Sequence, residues 1–193
     1  MKEELKKVSL VYKSLKEMQI EVETIGHPIV KSCLESKEHY DKQGYSIKEY
    51  GLCKNLFIRD KKGKNFWLVI VDYLKEIDMS SLRTILGTSK LGPATNDNLA
   101  DILAVESGSV SLFSVLNDKE MKVKVIIDNS LMTKKKLAFH PNYSGMTSFI
   151  SKSDTIKFLE ETKREYCLID VPSKEYEYSK TKVLTSASCV NYY

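Results

Sequence analysis

The sequence is poor in the residues that build metal and disulfide sites. It has four cysteines and three histidines in 193 residues, and none of them forms a CxxC, HxH or HExxH pattern. Zinc sites and disulfide frameworks use short, recurrent spacings of these residues. We therefore predict that the thiols are reduced and that the protein uses neither a metal ion nor another cofactor.

No hydrophobic segment is long enough to span a membrane. The longest apolar run, Phe66 to Val71, has the length of a strand, whereas a membrane helix needs about 20 apolar residues. Residues 1–18 carry charges throughout and lack the apolar centre and the small-residue cleavage site of a signal peptide. These absences predict a soluble, cytoplasmic protein without a membrane partner.

The common catalytic and nucleotide-binding motifs are also absent. The chain has no GxSxG, GxGxxG or GxxxxGK[ST] motif, and the loop GTSKLG at residues 87–92 lacks the residue order that cradles phosphate. The composition, 42% hydrophobic and 29% charged, is typical of one globular domain. The net charge of +4 permits an anionic partner but falls far short of a histone-like tail, and we expect no DNA partner.

Hydrophobic periodicity predicts a mixture of helices and strands. Helices are predicted over residues 2–18, 29–42, 80–86, 97–103 and 154–163, with Ser80, Asn96 and Ser153 as N-caps. Strands are predicted over residues 19–26, 52–59, 65–73, 112–116, 121–128 and 166–171, with a hairpin turn at Gly63. This order lacks the regular rhythm of a doubly wound sheet, so we predict a mixed α/β fold with helices packed outside a mixed sheet or barrel.

The composition changes after Pro172 to Ser, Thr, Lys and Tyr. A segment of this kind buries too little apolar surface to fold by itself. We predict one domain over residues 1–172 and a flexible C-terminal tail over residues 173–193.

Three features can carry chemistry, and each also has an ordinary structural interpretation. Lys54 and Asn55 interrupt an apolar strand, a pattern that also suits an edge-strand lysine whose amine reaches water. His140 lies in a loop that can present its imidazole rigidly, or it only packs and caps there. The segment GSVSL, Gly108 to Leu112, offers successive backbone N–H groups to an oxyanion, or it is a plain turn.

Taken together, these motifs resemble a known family. KNLFIRDKKG at residues 54–63, GSVSLFSVLND at 108–118, the strand around VKVIID and FHPN at 139–142 have the order and spacing of the YbaK/ProX-type aminoacyl-tRNA editing domains. The chain is most similar to the freestanding alanyl-tRNA(Pro) deacylases, relatives of the editing domain inserted in bacterial prolyl-tRNA synthetases. The resemblance covers about residues 3–162.

The resemblance implies a barrel-like mixed β-sheet wrapped by helices. It also implies hydrolysis of the ester that joins a mischarged amino acid to the terminal adenosine of tRNA. Four residues match catalytic positions of the family: Lys54, Gly108, Ser109 and His140. Five residues match positions of its substrate pocket: Asn55, Val110, Ser111, Leu112 and Asn142. Leu112 stands where the GxxxP loop of the family has proline, which makes pocket size and substrate choice less certain.

An aminoacyl ester is already activated, so its hydrolysis needs a positioned water and a stabilised oxyanion rather than a covalent nucleophile. We expect Lys54 to hold the terminal phosphate or a loop carbonyl. The amides of Gly108 and Ser109 are expected to orient the ester carbonyl. His140 and Asn142 are expected to position the ribose, whose free hydroxyl helps to activate water.

Alanine on tRNA(Pro) is the first expectation for the substrate, because a pocket too small for proline admits alanine. Cysteine on tRNA(Pro), or serine or threonine on another tRNA, is the alternative. A tRNA- or synthetase-binding module without catalysis is the rival class. Two questions stay open: whether the protein docks on prolyl-tRNA synthetase, and whether Lys134 to Lys136 meet the acceptor stem of tRNA or face water.

Overall fold

The computed structural model describes residues 2–29, 33–46 and 48–174, and within these ranges helices cover one mixed sheet. The α-helices are α1 (Lys2–Glu17), α2 (Cys33–Lys42), α3 (Met79–Ile85), α4 (Asn96–Asn98) and α5 (Lys152–Glu161). The strands are β1 (Glu23–Gly26), β2 (Tyr50–Asp60), β3 (Phe66–Asp72), β4 (Leu91–Pro93), β5 (Val123–Asp128), β6 (Lys136–Phe139), β7 (Met146–Ser151) and β8 (Tyr166–Ile169). A π-helix, Leu99–Leu103, continues α4, and 3₁₀ helices occupy Leu112–Asn117 and Asn129–Thr133.

The strands lie in the order β1-β7-β6-β2-β3-β5-β8, and β4 pairs with the far end of β2. β2 runs parallel to β6, and β5 runs parallel to both β3 and β8, whereas the other pairs are antiparallel. The predicted mixed α/β fold, with a mixed sheet wrapped by helices, is confirmed.

Each face of the sheet carries its own hydrophobic layer. One face holds the main core, into which α1, α5 and the 3₁₀ helix Leu112–Asn117 insert buried side chains such as Leu15, Phe158 and Phe113. The other face holds two smaller clusters, one around Trp67 under α3 and one around Phe149 beside α2. Because side chains alternate between faces along a strand, neighbouring residues of β2 belong to different layers.

The short helices begin earlier than predicted. Their N-caps are Asp78 for α3, Thr95 for α4 and Ser151 for α5, rather than Ser80, Asn96 and Ser153. Each of the observed caps accepts hydrogen bonds from amides two or three residues further along, such as the Ser151 hydroxyl from the Asp154 amide at 3.0 Å. A capping oxygen that satisfies an orphan amide of the first turn fixes the start of a helix.

The prediction of a strand over residues 112–116 is wrong, because Leu112–Asn117 is a 3₁₀ helix. The Phe113 amide donates to the Ser111 hydroxyl at 3.2 Å, and the Ser111 amide donates to the Ser114 hydroxyl at 3.0 Å. This reciprocal capping box starts a helix. The apolar residues of the segment look like a buried strand in sequence because nearly all of its side chains enter the core.

Two ends of the predicted elements also differ. β1 begins at Glu23 rather than at residue 19, because Gln19 takes φ 54° and the Ile20 amide donates to the Leu15 carbonyl at 2.9 Å, which ends α1. At the other end, Ser173 forms a β-bridge with Ile77, and the Lys174 amide donates to the Glu76 carbonyl at 3.0 Å. The rest of the predicted tail, residues 175–193, lies outside the described residues.

In the described ranges, no helix combines the length and the apolar character that a membrane span requires.

Candidate active site

The candidate site lies at the point on β2 where its pairing with β6 ends and its pairing with β3 begins. β2 pairs with β6 through Tyr50 to Leu52 and with β3 from Cys53 to Arg59. The two strands β2 and β6 approach closely at Gly51, where a Cβ atom would lie 2.8 Å from a methyl carbon of Leu137. Beyond this point β2 and β6 no longer pair, so Lys54 and Asn55 flank a gap between strands, as residues do at the corners of sheets.

The structure brings Lys54 and His140 to the same face of the sheet. Leu52 lies opposite Ala138 in the parallel register, and Lys54 and His140 each follow this pair by two residues. Strand alternation places Lys54 on the face of Leu52. His140 follows the end of β6 and lies 3.4 Å from the hydroxyl of Thr147, which is on the same face two residues before Phe149. Asn55 points to the opposite face, toward the main core, so the adjacent residues Lys54 and Asn55 approach the gap from two sides.

A backbone carbonyl holds the Lys54 ammonium in place. Lys54 Nζ donates to the carbonyl of Lys75 at 2.6 Å, and the side chain is partly buried. An ammonium group has three N–H donors, so two donors of Lys54 are left for a ligand. This geometry differs from that of an edge-strand lysine whose amine reaches into open water.

The loop that carries this carbonyl is itself anchored. The Lys75 ammonium forms an ion pair with Asp128, which is 1% exposed at the end of β5. Asp128 also accepts hydrogen bonds from the amides of Ser130 at 2.9 Å and Val171 at 3.0 Å. Burial raises the pKa of Asp128, but the hydrogen bonds from Lys75 and Ser130 outweigh burial and hold the pKa below its ordinary value of 3.8.

The imidazole of His140 is held in one tautomer. Nδ1 lies 2.7 Å from the carbonyl of Met146, and since a carbonyl only accepts, Nδ1 carries the proton. Burial lowers the pKa of His140 below 6.5, and the nearby His27 lowers it further. The ring is therefore neutral at pH 7, and within the described part of the chain its Nε2 acceptor has no protein partner.

Three residues that the sequence analysis missed surround His140. His27 donates from Nδ1 to the Pro28 carbonyl at 2.9 Å, so its Nε2 accepts from the Thr147 hydroxyl at 2.9 Å. The Tyr40 hydroxyl then donates to Thr147 at 2.7 Å, and the ring of His27 lies 5.7 Å from that of His140. Contacts across more than a hundred residues left no local signal in the sequence.

The segment Gly108 to Ser111 is a turn whose amides are partly used. Gly108 takes φ 86°, and the Ser109 amide donates to the Glu106 carbonyl at 3.0 Å. The Ser111 amide is occupied by Ser114. The Ser109 amide, one of the two expected to orient a substrate carbonyl, is therefore engaged. For the amides of Gly108 and Val110, the described part of the chain provides no acceptor.

Ser111 ties this turn to the His140 loop, whereas Leu112 belongs to the core. The Ser111 hydroxyl donates to the His140 carbonyl at 2.6 Å. Leu112 is 0% exposed and begins the 3₁₀ helix. The first position of a helix is where proline fits best, which explains how proline in the family and leucine here can occupy the same backbone position.

Asn142 and Asn55 both have a buried polar atom without a partner. Asn142 is 3% exposed with φ 59°, and its side-chain oxygen accepts from the Ser114 hydroxyl at 2.9 Å. Its Nδ2 and the Oδ1 of Asn55 are buried and unpartnered. Native proteins rarely leave such atoms unpaired, so one donor and one acceptor at this site are available to a bound molecule or to water.

Acidic neighbours occupy two of the three lysines in the segment Lys134 to Lys136. Lys135 lies 3.5 Å from Glu49, and Lys136 is paired with Glu23.

The site combines groups that bind an anion with groups that bind a carbonyl. Lys54 supplies the charge, the free amides supply N–H donors, and neutral His140 supplies an acceptor. Across residues 2–29, 33–46 and 48–174, no three His, Cys, Asp or Glu side chains are grouped to hold a metal ion. Such a set of groups can bind a phosphate and a carbonyl together.

Comparisons with known proteins identify the class. A family model described as the aminoacyl-tRNA editing domain matches residues 28–158. The chain is 32% identical over 161 residues to the prolyl-tRNA editing protein ProX of Acetoanaerobium sticklandii, covering 83% of this chain and 95% of the relative. It is 30% identical over 151 residues to prolyl-tRNA synthetase associated domain-containing protein 1 of Mus musculus, covering 75% and 85%.

A solved structure described as a candidate trans-editing enzyme for prolyl-tRNA synthetase has the same fold, with a TM-score of 0.65 at 14% identity over 88% of this chain and 98% of that one. The chain belongs to the aminoacyl-tRNA editing domain family. It is accordingly an aminoacyl-tRNA deacylase, and aminoacylated tRNA is its substrate.

Proposed function

We propose that this deacylase removes alanine from tRNA(Pro) in the cytoplasm, and that Lys54, His140 and the turn Gly108 to Ser111 form its active site. The family supports an aminoacyl-tRNA as the substrate, and the name of the A. sticklandii relative supports prolyl-tRNA as the tRNA. The observations that carry the proposal are that Lys54 and His140 lie on one face of the sheet and that Ser111 ties the turn to the His140 carbonyl.

In this proposal Lys54 binds the phosphate of the terminal adenosine. One of its N–H groups bonds to the Lys75 carbonyl, and the other two point the positive charge at the ligand. A charged donor that is already oriented fixes the phosphate, and thereby positions the ester for attack.

The ester carbonyl binds to the turn. Because the Ser109 amide is engaged, the amides of Gly108 and Val110 are the donors for the developing oxyanion. The buried donor of Asn142 and the buried acceptor of Asn55 give the amino-acid end two further polar contacts.

His140 positions the ribose. Its Nε2 accepts a hydrogen bond from a ribose hydroxyl, and that hydroxyl orients the water that attacks the ester. No covalent intermediate is needed, because the ester is already activated. The substrate itself thereby completes the active site.

Substrate choice follows from size. A pocket that excludes proline and admits alanine separates the two by sterics. The side chains of Leu112 and Ser111 are both fully buried, so the partly buried Val110 borders the pocket in place of Leu112. Cysteine on tRNA(Pro), or serine or threonine on another tRNA, are the alternative substrates, and prolyl-tRNA synthetase is the proposed docking partner.

The test is deacylation of Ala-tRNA(Pro) beside Pro-, Cys- and Ser-charged tRNAs, by wild type, Lys54→Ala and the control Lys6→Ala at an exposed position of α1. We expect selective loss of alanine from the tRNA. Its rate should fall at least about 100-fold in Lys54→Ala, because the ester is then misplaced relative to the turn, and should be unchanged in the control. Hydrolysis of another charged tRNA instead would contradict the proposed substrate. Activity that survives in Lys54→Ala would contradict the proposed active site.

A further inference from the structure

A cavity of about 610 Å³ lies at the hairpin end of β2, away from the site described above. Its walls are the turn between β2 and β3, residues 85–89 at the end of α3, and the paired strands β5 and β8. Trp67 is in the wall, and Thr88 and Ser89 add hydroxyl groups. None of these residues has a role in the proposed hydrolysis.

The rim of this cavity carries unpaired positive charge. Lys61, Lys62 and Lys64 line it and are exposed, and none of them has a carboxylate partner among the residues that the structure describes. The two acids of the lining are already engaged. Asp60 accepts from the Lys64 amide at 2.9 Å and from the Asn65 side chain at 2.7 Å, and Glu165 pairs with Lys124 at 2.8 Å.

This cavity and the candidate active site open on the same face of the sheet. Lys54 pairs with Val71 in the β2–β3 register, and Ile58 pairs with the cavity residue Trp67. Lys54 and Ile58 are separated by four residues on one strand face, which corresponds to about 13 Å at about 3.3 Å per residue. The lysines of the turn begin three residues beyond Ile58, at about 23 Å from Lys54 along the strand.

We propose that this lysine-lined cavity binds the phosphates of the tRNA acceptor stem while the terminal adenosine is at Lys54. The inference rests on the proposed function, because it takes tRNA as the substrate. Stacked nucleotides rise about 3.4 Å each along one strand, so the cavity, at about 13 to 23 Å from Lys54, spans about four to seven nucleotides from the 3′ end, and its lysines lie at the far end of this range. There the single-stranded end joins the first base pairs.

The charges favour this cavity over the segment Lys134 to Lys136 as the surface that meets the stem. Glu49 and Glu23 already neutralise Lys135 and Lys136, whereas the turn lysines have no acid to displace. Such contacts go to the phosphate backbone, so they add affinity without reading the sequence.

The test compares wild type with the triple variant Lys61→Gln, Lys62→Gln, Lys64→Gln. The matched control, Lys6→Gln, Lys13→Gln, Lys16→Gln, removes equal charge from α1, which packs on the opposite face. Binding of uncharged tRNA is measured from low to high salt. We expect at least about tenfold weaker binding of the turn variant at low salt, and a slope of log K against log salt reduced by up to about 2.7.

Kinetic measurements then distinguish an effect on binding of the tRNA stem from an effect at the reacting 3′ end. The turn variant should raise KM for Ala-tRNA(Pro) with kcat unchanged, and it should match wild type on the alanyl ester of the trinucleotide CCA, which has no stem. Equal tRNA affinity of turn and control variants would overturn the inference, as would equal loss on the trinucleotide. If wild type hydrolysed neither substrate while the turn variant still lost tRNA affinity, the proposed reaction would be contradicted. The proposed tRNA-binding surface would still be supported.

Discussion

Lys54 and His140 are each fixed by a backbone carbonyl, that of Lys75 for the amine and that of Met146 for the imidazole. A carbonyl accepts hydrogen bonds whatever side chain its residue carries. The motifs therefore predicted Lys54 and His140 as site residues, but the groups that orient them have no sequence signature. The same limit applies to Thr147, whose hydroxyl joins Tyr40 and His27 only in the folded chain.

His140 should set the acid side of the pH profile. Its pKa is lowered by burial from 6.5, and protonation would remove the Nε2 acceptor that is proposed to hold the ribose. We expect that titration of His140 does not affect kcat/KM for Ala-tRNA(Pro) above pH 6.5, and that kcat/KM decreases as the pH falls below 6.5. The measurement is single-turnover deacylation from pH 5 to 8.

His140→Gln is the comparison for this profile. It should react more slowly and lose the decline below pH 6.5, because no imidazole remains to be protonated. A decline already present above pH 6.5 in wild type, absent in His140→Gln, would show that the pKa of His140 is raised instead and would contradict the assignment.

Among the elements, the connection between β3 and α3 holds the Lys54 ammonium through the Lys75 carbonyl. Lys75 lies in this connection, and Asp128 at the end of β5 holds its amine. Asp128→Asn should release the Lys75 carbonyl and lower kcat by about ten- to 100-fold with KM less affected, since a misplacement of about 1 Å near the reacting groups can cost about 100-fold. Steady-state kinetics on Ala-tRNA(Pro) measure both constants.

Stability provides the second measurement of Asp128. Its pKa in the folded protein lies below the ordinary 3.8, so the unfolded chain binds the proton more readily. The contribution to folding is therefore complete above about pH 4 and is lost as the pH falls through the folded pKa. In urea unfolding at pH 3 to 7, Asp128→Asn should be less stable than wild type at pH 7, and the difference should shrink toward pH 3. A constant difference across this range would contradict the ionised pairing.

The predictions of secondary structure were correct where hydrophobic periodicity alone determines the element. They were wrong where local capping hydrogen bonds determine its type or its start. The amphipathic stripe of α1 and the hairpin of β2 and β3 are confirmed. The segment from Leu112 to Leu116 is helical because Ser111 and Ser114 cap each other, a contact that competes with strand formation. Its buried side chains carry the same pattern in either conformation, so composition could not distinguish them.

For the molecule as a whole, the boundary of the domain can be tested by truncation. Ser173 and Lys174 bond to Ile77 and Glu76, directly after the residue whose carbonyl holds Lys54. Deleting residues 175–193 should leave deacylation within about twofold of wild type, whereas deleting residues 173–193 should lower kcat further. The difference in kcat between the two truncations, measured at equal folded fraction, gives the contribution of the β-bridge between Ser173 and Ile77. A large loss in the shorter truncation would assign a role to the segment beyond Lys174.

The pairing of β1 with β7 sets the order in which the protein can be completed on the ribosome. Glu23 is made early, yet its partner Phe149 is made only after most of the chain. Until β7 has emerged, β1 has no neighbour in the sheet, and β6 lacks its antiparallel partner. An unpaired strand edge is a template for association with other chains. Chains released before residue 151 therefore combine an exposed edge with an unfinished His140 loop, and we expect them to be substrates for quality control rather than weak enzymes.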